Sequence, residues 1–65
     1  MIYENDKYII SQNDFNYHIM ISEKLEGGEA KMIGHINYNG DMLSPEELRD
    51  FVLPFLKMIG RDPGE

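Results

Sequence analysis

Gly27-Gly28 stands between two runs of alternating apolar and polar residues, and this junction constrains the chain more than any other feature. In the first run Phe15, Tyr17, Ile19, Ile21 and Leu25 fall on one side, with Glu23 as the single break. Asn16, His18, Met20, Ser22 and Lys24 fall on the other. A period of two, rich in aromatic and β-branched residues, marks a strand with one buried face. Glycine accepts the positive φ of a tight hairpin turn, so the second run, from about Ala30 to Tyr38, returns antiparallel to the first. A two-residue Gly27-Gly28 turn pairs Leu25 with Ala30, Ile21 with Gly34, Ile19 with Ile36 and Tyr17 with Tyr38. Every one of these is apolar or glycine, so both strands agree on the buried face. The opposite face then pairs Lys24 with Lys31, Ser22 with Ile33, Met20 with His35 and His18 with Asn37.

Upstream, Lys7 to Ser11 reads as a shorter strand and Gln12-Asn13-Asp14 as a turn cluster. With Asn13-Asp14 as the turn, Ile10 faces Tyr17, Tyr8 faces Ile19, and Ile9 joins His18 on the other face. Downstream, Asn39-Gly40 is a turn. Ser44-Pro45-Glu46-Glu47 is a helix start: serine at the N-cap, proline at the first helical position, and glutamate three after the serine to complete a capping box. Leu48, Phe51, Val52, Phe55 and Ile59 recur as one apolar stripe, and Gly60 supplies the stop. Pro54 lies on the outer face and cannot bond to Asp50, which predicts a kink. The expected fold is α+β: a three-stranded antiparallel meander with one C-terminal helix packed on one face. It spans residues 1–60, with 61–65 as a flexible tail. The expected core is Tyr8, Ile10, Tyr17, Ile19, Ile21, Ile36, Leu48, Phe51, Val52, Phe55 and Ile59.

The chain is 65 residues long and has no cysteine. A chain of this size buries only about 60% of its unfolded surface, so it needs an efficient core or a partner that extends it. Twelve acidic residues against six basic ones give a net charge of −6, which argues against a nucleic-acid partner. No apolar run approaches the ~18–20 residues of a membrane span, and the N-terminus lacks the basic start and apolar centre of a signal peptide. A cytoplasmic location follows as an expectation.

Catalytic signals are missing. The sequence holds no cysteine nucleophile, no glycine-rich phosphate loop before a helix and no G-x-S-x-G, so no enzymatic activity and no cofactor is expected. Glu46 and Glu47 belong to the helix start, while Glu26 and Glu29 flank a turn. His18 and His35 are diagonal neighbours on the open face. With only Met20 and Asn37 beside them, they fall short of the four ligands that zinc takes, so no metal site is expected within one chain.

What remains is surface. Ile9, Met20 and Ile33, with His18 and His35, occupy a sheet face that no element covers, while Leu53 lies outside the helix stripe and Leu56 on its edge. These seven residues are the expected protein interface. The partner is either a second copy, forming a homodimer through the open sheet face, or another protein drawn by the acidic charge. In size, charge and build the chain is similar to small phage proteins that inhibit host nucleases or repair enzymes, a likeness of composition carried by no motif. It implies a phage- or mobile-element-type inhibitor or modulator of a host protein. The alternative is a homodimeric accessory domain or a subunit of a larger assembly.

Overall fold

In the computed structural model, which describes residues 2–61, four strands and one helix follow in the order Ile2–Glu4 (β1), Tyr8–Gln12 (β2), Ile19–Lys24 (β3), Ala30–Ile36 (β4) and Pro45–Met58 (α1). The strands form one antiparallel sheet in sequence order, with α1 against one face and nearest to β1 and β2. The fold is the expected α+β arrangement with one C-terminal helix, but the sheet has four strands rather than three. The added strand is β1. Asn5 creates it: its Oδ1 accepts the Lys7 and Tyr8 N–H groups, both at 2.8 Å, and its own N–H donates to the Tyr8 carbonyl at 3.0 Å. This side-chain turn folds Ile2–Glu4 back onto β2.

The connection from β2 to β3 is longer than a two-residue turn. Asn13 Oδ1 accepts the Phe15 and Asn16 N–H groups, at 2.7 and 3.2 Å, and the Tyr17 N–H closes a turn onto the Asn13 carbonyl at 3.0 Å. Tyr17 has φ +61°. Phe15 and Tyr17 therefore sit in a loop, and neither extends β3. The register moves with the loop: Ile10 faces Ile21 and Tyr8 faces Glu23. This differs from the expected pairing by an even number of residues, so each side chain keeps its face.

The Gly27-Gly28 hairpin forms, with both glycines at φ +87°, but its loop is one helical turn over Glu26–Gly28 closed by the Leu25 N–H on the Glu29 carbonyl at 2.7 Å. The wider loop places Lys24 opposite Ala30, Glu23 opposite Lys31 and Ser22 opposite Met32. Beyond the step between Ile21 and Ser22 the expected register returns, with Ile21 opposite Gly34, Met20 opposite His35 and Ile19 opposite Ile36. Ile33 is the extra residue at that step, a β-bulge.

The buried core is Tyr8, Ile10, Ile19, Ile21, Leu48, Val52 and Leu56, with Tyr3, Ile33, Ile36, Tyr38, Leu43 and Phe55 packed around it. One row crosses the whole sheet on this face: Tyr3, Ile10, Ile21 and Gly34. Gly34 ends the row because Phe55 occupies the space beside it, and a Cβ there would lie 2.7 Å from Phe55 Cζ. The helix is rolled relative to the expected stripe. Leu48, Val52 and Leu56, four residues apart, form its buried line. Phe51 moves to the flank, where it meets Tyr38 edge-on with ring centroids 5.1 Å apart. Ile59 falls on the C-cap and is partly exposed, as is Tyr17 in its loop.

Both helix ends are built as the sequence specifies. The Glu47 N–H donates to Ser44 Oγ at 3.2 Å, and the Ser44 N–H donates to Glu47 Oε1 at 3.0 Å. At the other end the Gly60 N–H bonds the Lys57 carbonyl at 3.1 Å and the Arg61 N–H bonds the Leu56 carbonyl at 2.8 Å, with Gly60 at φ +80°. This is a Schellman stop. Arg61 also pairs with Glu23 at 3.3 Å. The rest of the expected tail, 62–65, lies outside the described residues. The helix runs as one element through Pro54.

One buried polar side chain joins the parts. Gln12 continues the inward parity of Tyr8 and Ile10 and is 3% exposed. Its Oε1 accepts the Leu43 N–H at 2.8 Å, and its Nε2 donates to the Tyr17 and Asp41 carbonyls at 3.1 and 3.4 Å. The segment that leads into α1 is thereby tied to the sheet. Among the described residues no buried side-chain nitrogen or oxygen lacks a hydrogen-bond partner.

Candidate functional site

The sheet face opposite the helix is built from two cross-strand rows. Ile2, Ser11, Met20 and His35 form one; Glu4, Ile9, Ser22 and Met32 form the next. Period-two geometry puts them on one side, and α1 covers only the other. The face is bare over its middle: Met20 is 38% exposed and Met32 57%. An ion pair between Lys24 and Glu4 closes one end of it.

Two depressions mark this face. The first, about 250 Å³, is lined by Asn13, Asn16, His18, Met20, Met32 and His35. The β2–β3 loop forms its wall, and the Asn13 turn and the His18 N–H bond to Asn16 Oδ1, at 3.0 Å, fix the loop's shape. No carboxylate and no lysine or arginine lines it. The second, about 280 Å³, lies at the opposite end and is lined by Glu4, Ile9, Lys24, Leu25, Gly28, Glu29 and Ala30. Beside the first depression the loop projects Phe15, which is 93% exposed.

Five of the seven expected interface residues keep an accessible position. His18, Met20 and His35 come together in the first depression, and half-buried Ile9 sits in the second. Leu53 stands apart from them, half-buried on α1. Two placements are corrected. Ile33 is turned by the bulge to the helix side and packs against the core, and Met32 takes its place on the open face. Leu56 is 1% exposed, because the helix is rolled to bring it over the sheet. Phe15, Asn13, Asn16 and Met32 are the residues that sequence reasoning missed. The triplet of Asn13, Asp14 and Asn16 around Phe15 is the signal for the loop, since side-chain amides and carboxylates cap turns rather than extend strands.

Among the described residues no three His, Cys, Asp or Glu side chains gather as a metal cluster. No helix among them is long and apolar enough to cross a membrane. No protein-family model, no curated protein and no solved structure matches the chain.

Proposed function

We infer that this chain is a non-enzymatic protein that acts through protein–protein contact, and that its open sheet face docks a basic protein whose activity it modulates or inhibits. The observation that carries the reading is the pairing of apolar anchors with acidic surroundings on one face. Met20, Met32, Ile9 and Phe15 supply desolvation, and unbranched methionine adapts to an irregular partner surface. Asp14 on the loop and Glu29 at the second depression, where Glu4 is paired with Lys24, supply the acidic groups of the rim, and the net charge of −6 steers a basic partner toward it. A preformed loop presents Phe15 at little ordering cost on binding.

The test is capture from a lysate by the immobilised chain, compared with Met20→Glu plus Met32→Glu. The reading expects a basic protein that is retained at low salt and lost with the double substitution. Amides of β3 and β4 in the bound chain should be protected from hydrogen exchange. Capture unchanged by the double substitution overturns it. A chain that sediments as a dimer through this face replaces the basic partner with a second copy.

A further inference from the structure

The first depression brings together two thioethers and two imidazoles. Met20 and His35 are direct cross-strand partners, so their Cβ atoms are neighbours on the pleated surface. His18 precedes Met20 by two residues and lines the same depression. The fourth donor is Met32, and the bulge at Ile33 puts it there: with an unbroken register this position on the face would be isoleucine, which has no lone pair to give. Among the described residues neither imidazole ring has a hydrogen-bond partner in the chain. Their ring nitrogens are open to a ligand.

The chemistry of this set is specific. Thioether sulfur is a soft ligand that selects Cu(I), and imidazole suits copper. All four donors are uncharged when the histidines are neutral, and the remaining lining residues, Asn13 and Asn16, bring no charge either. A divalent ion would sit there without an anionic ligand, whereas zinc sites draw on thiolate, carboxylate and imidazole, and calcium and magnesium on oxygen. A monovalent soft cation needs no such compensation, and the acidic chain as a whole attracts it. We propose that His18, Met20, Met32 and His35 form a binding site for a soft monovalent cation of the Cu(I) class. The site is complete within one chain and stands independently of any protein partner.

The experiment is titration of the full chain with Ag(I), and under anaerobic conditions with Cu(I) held against a competing chelator. Methionine methyl resonances are followed by NMR. One ion per chain is expected, with the Met20 and Met32 methyls shifting while Met42 and Met58 stay in place. Leucine keeps the volume of methionine and removes the sulfur. Met20→Leu plus Met32→Leu is therefore expected to lower Ag(I) affinity by about tenfold or more with the circular dichroism of the helix unchanged. If that variant loses its fold, His35→Gln on the exposed face takes its place and is expected to weaken Ag(I) in the same way. Three results overturn the site: no saturable uptake of either ion, retained affinity in the folded variant, or tighter binding of Zn(II) than of Ag(I).

Discussion

Gln12 Oε1 accepts the Leu43 N–H at 2.8 Å, and this bond joins the second strand to the segment that enters the helix, 31 residues away. The same amide donates to the Tyr17 and Asp41 carbonyls, so a single side chain holds the loop that walls the first depression and the lead-in to α1. Replacing it strands several backbone groups at once. Gln12→Met, which keeps the volume and removes the polar atoms, should destabilise the fold by about 2–3 kcal/mol in urea unfolding. A change under about 0.5 kcal/mol would mean that these backbone groups find water instead.

Gly34 and Phe55 form the second long-range contact that a point change can probe. A methyl group at Gly34 would press on the tip of the Phe55 ring, which must tilt away. Gly34→Ala should cost about 1–2 kcal/mol, and Phe55→Leu should recover part of it in a double-mutant cycle. Additive effects of the two substitutions would show that the ring does not rest on β4.

Much of this architecture is legible in the residues, and the gaps have physical causes. Ser44, Pro45, Glu47 and Gly60 specify both helix ends by local hydrogen bonding, so they can be read without knowing the partner surface. The buried faces of β2 and β3 are equally readable, because an even slip between the strands leaves every side chain on its side. Three features depend on information that alternation does not carry. Ile2-Tyr3-Glu4 is too short to display a period, and only Asn5 marks its turn. The bulge at Ile33 reverses the parity of β4 from that point back to the hairpin, so Ile33 and Lys31 take the helix-side parity and Met32 and Ala30 the open one, while Gly34, His35 and Ile36 keep theirs. The roll of α1 is set by what the sheet offers, a slot over Gly34 for Phe55 and an edge at Tyr38 for Phe51, and this brings Leu56 rather than Ile59 into the core.

Tyr17 carries backbone strain that the loop imposes. At φ +61° an L-residue with a Cβ is disfavoured, least so for asparagine and most for a β-branched side chain. Tyr17→Asn should leave stability unchanged or raise it by up to about 1 kcal/mol, and Tyr17→Val should lower it by more than about 1 kcal/mol. Thermal melts of the two variants side by side give the comparison. Equal stability would place Tyr17 outside the left-handed region.

The capping box is a local test of the helix boundary. Ser44→Ala removes the acceptor of the Glu47 N–H and should cost about 1 kcal/mol. Gly60→Ala places a Cβ at φ +80° and should cost a similar amount. Both are read as shifts in the urea midpoint with an unchanged slope.

Both functional readings rest on one structural claim: the bulge at Ile33 turns isoleucine inward and hands Met32 to the open face. Solvent paramagnetic relaxation measures this directly, by comparing the broadening of side-chain methyl resonances when a soluble nitroxide is added to the labelled chain. The account predicts strong broadening at Met32 and Met20, with Ile33 protected alongside Ile36. Strong broadening at Ile33 with Met32 protected would contradict it, because the register would then be unbroken and the face would carry isoleucine where the second thioether is needed.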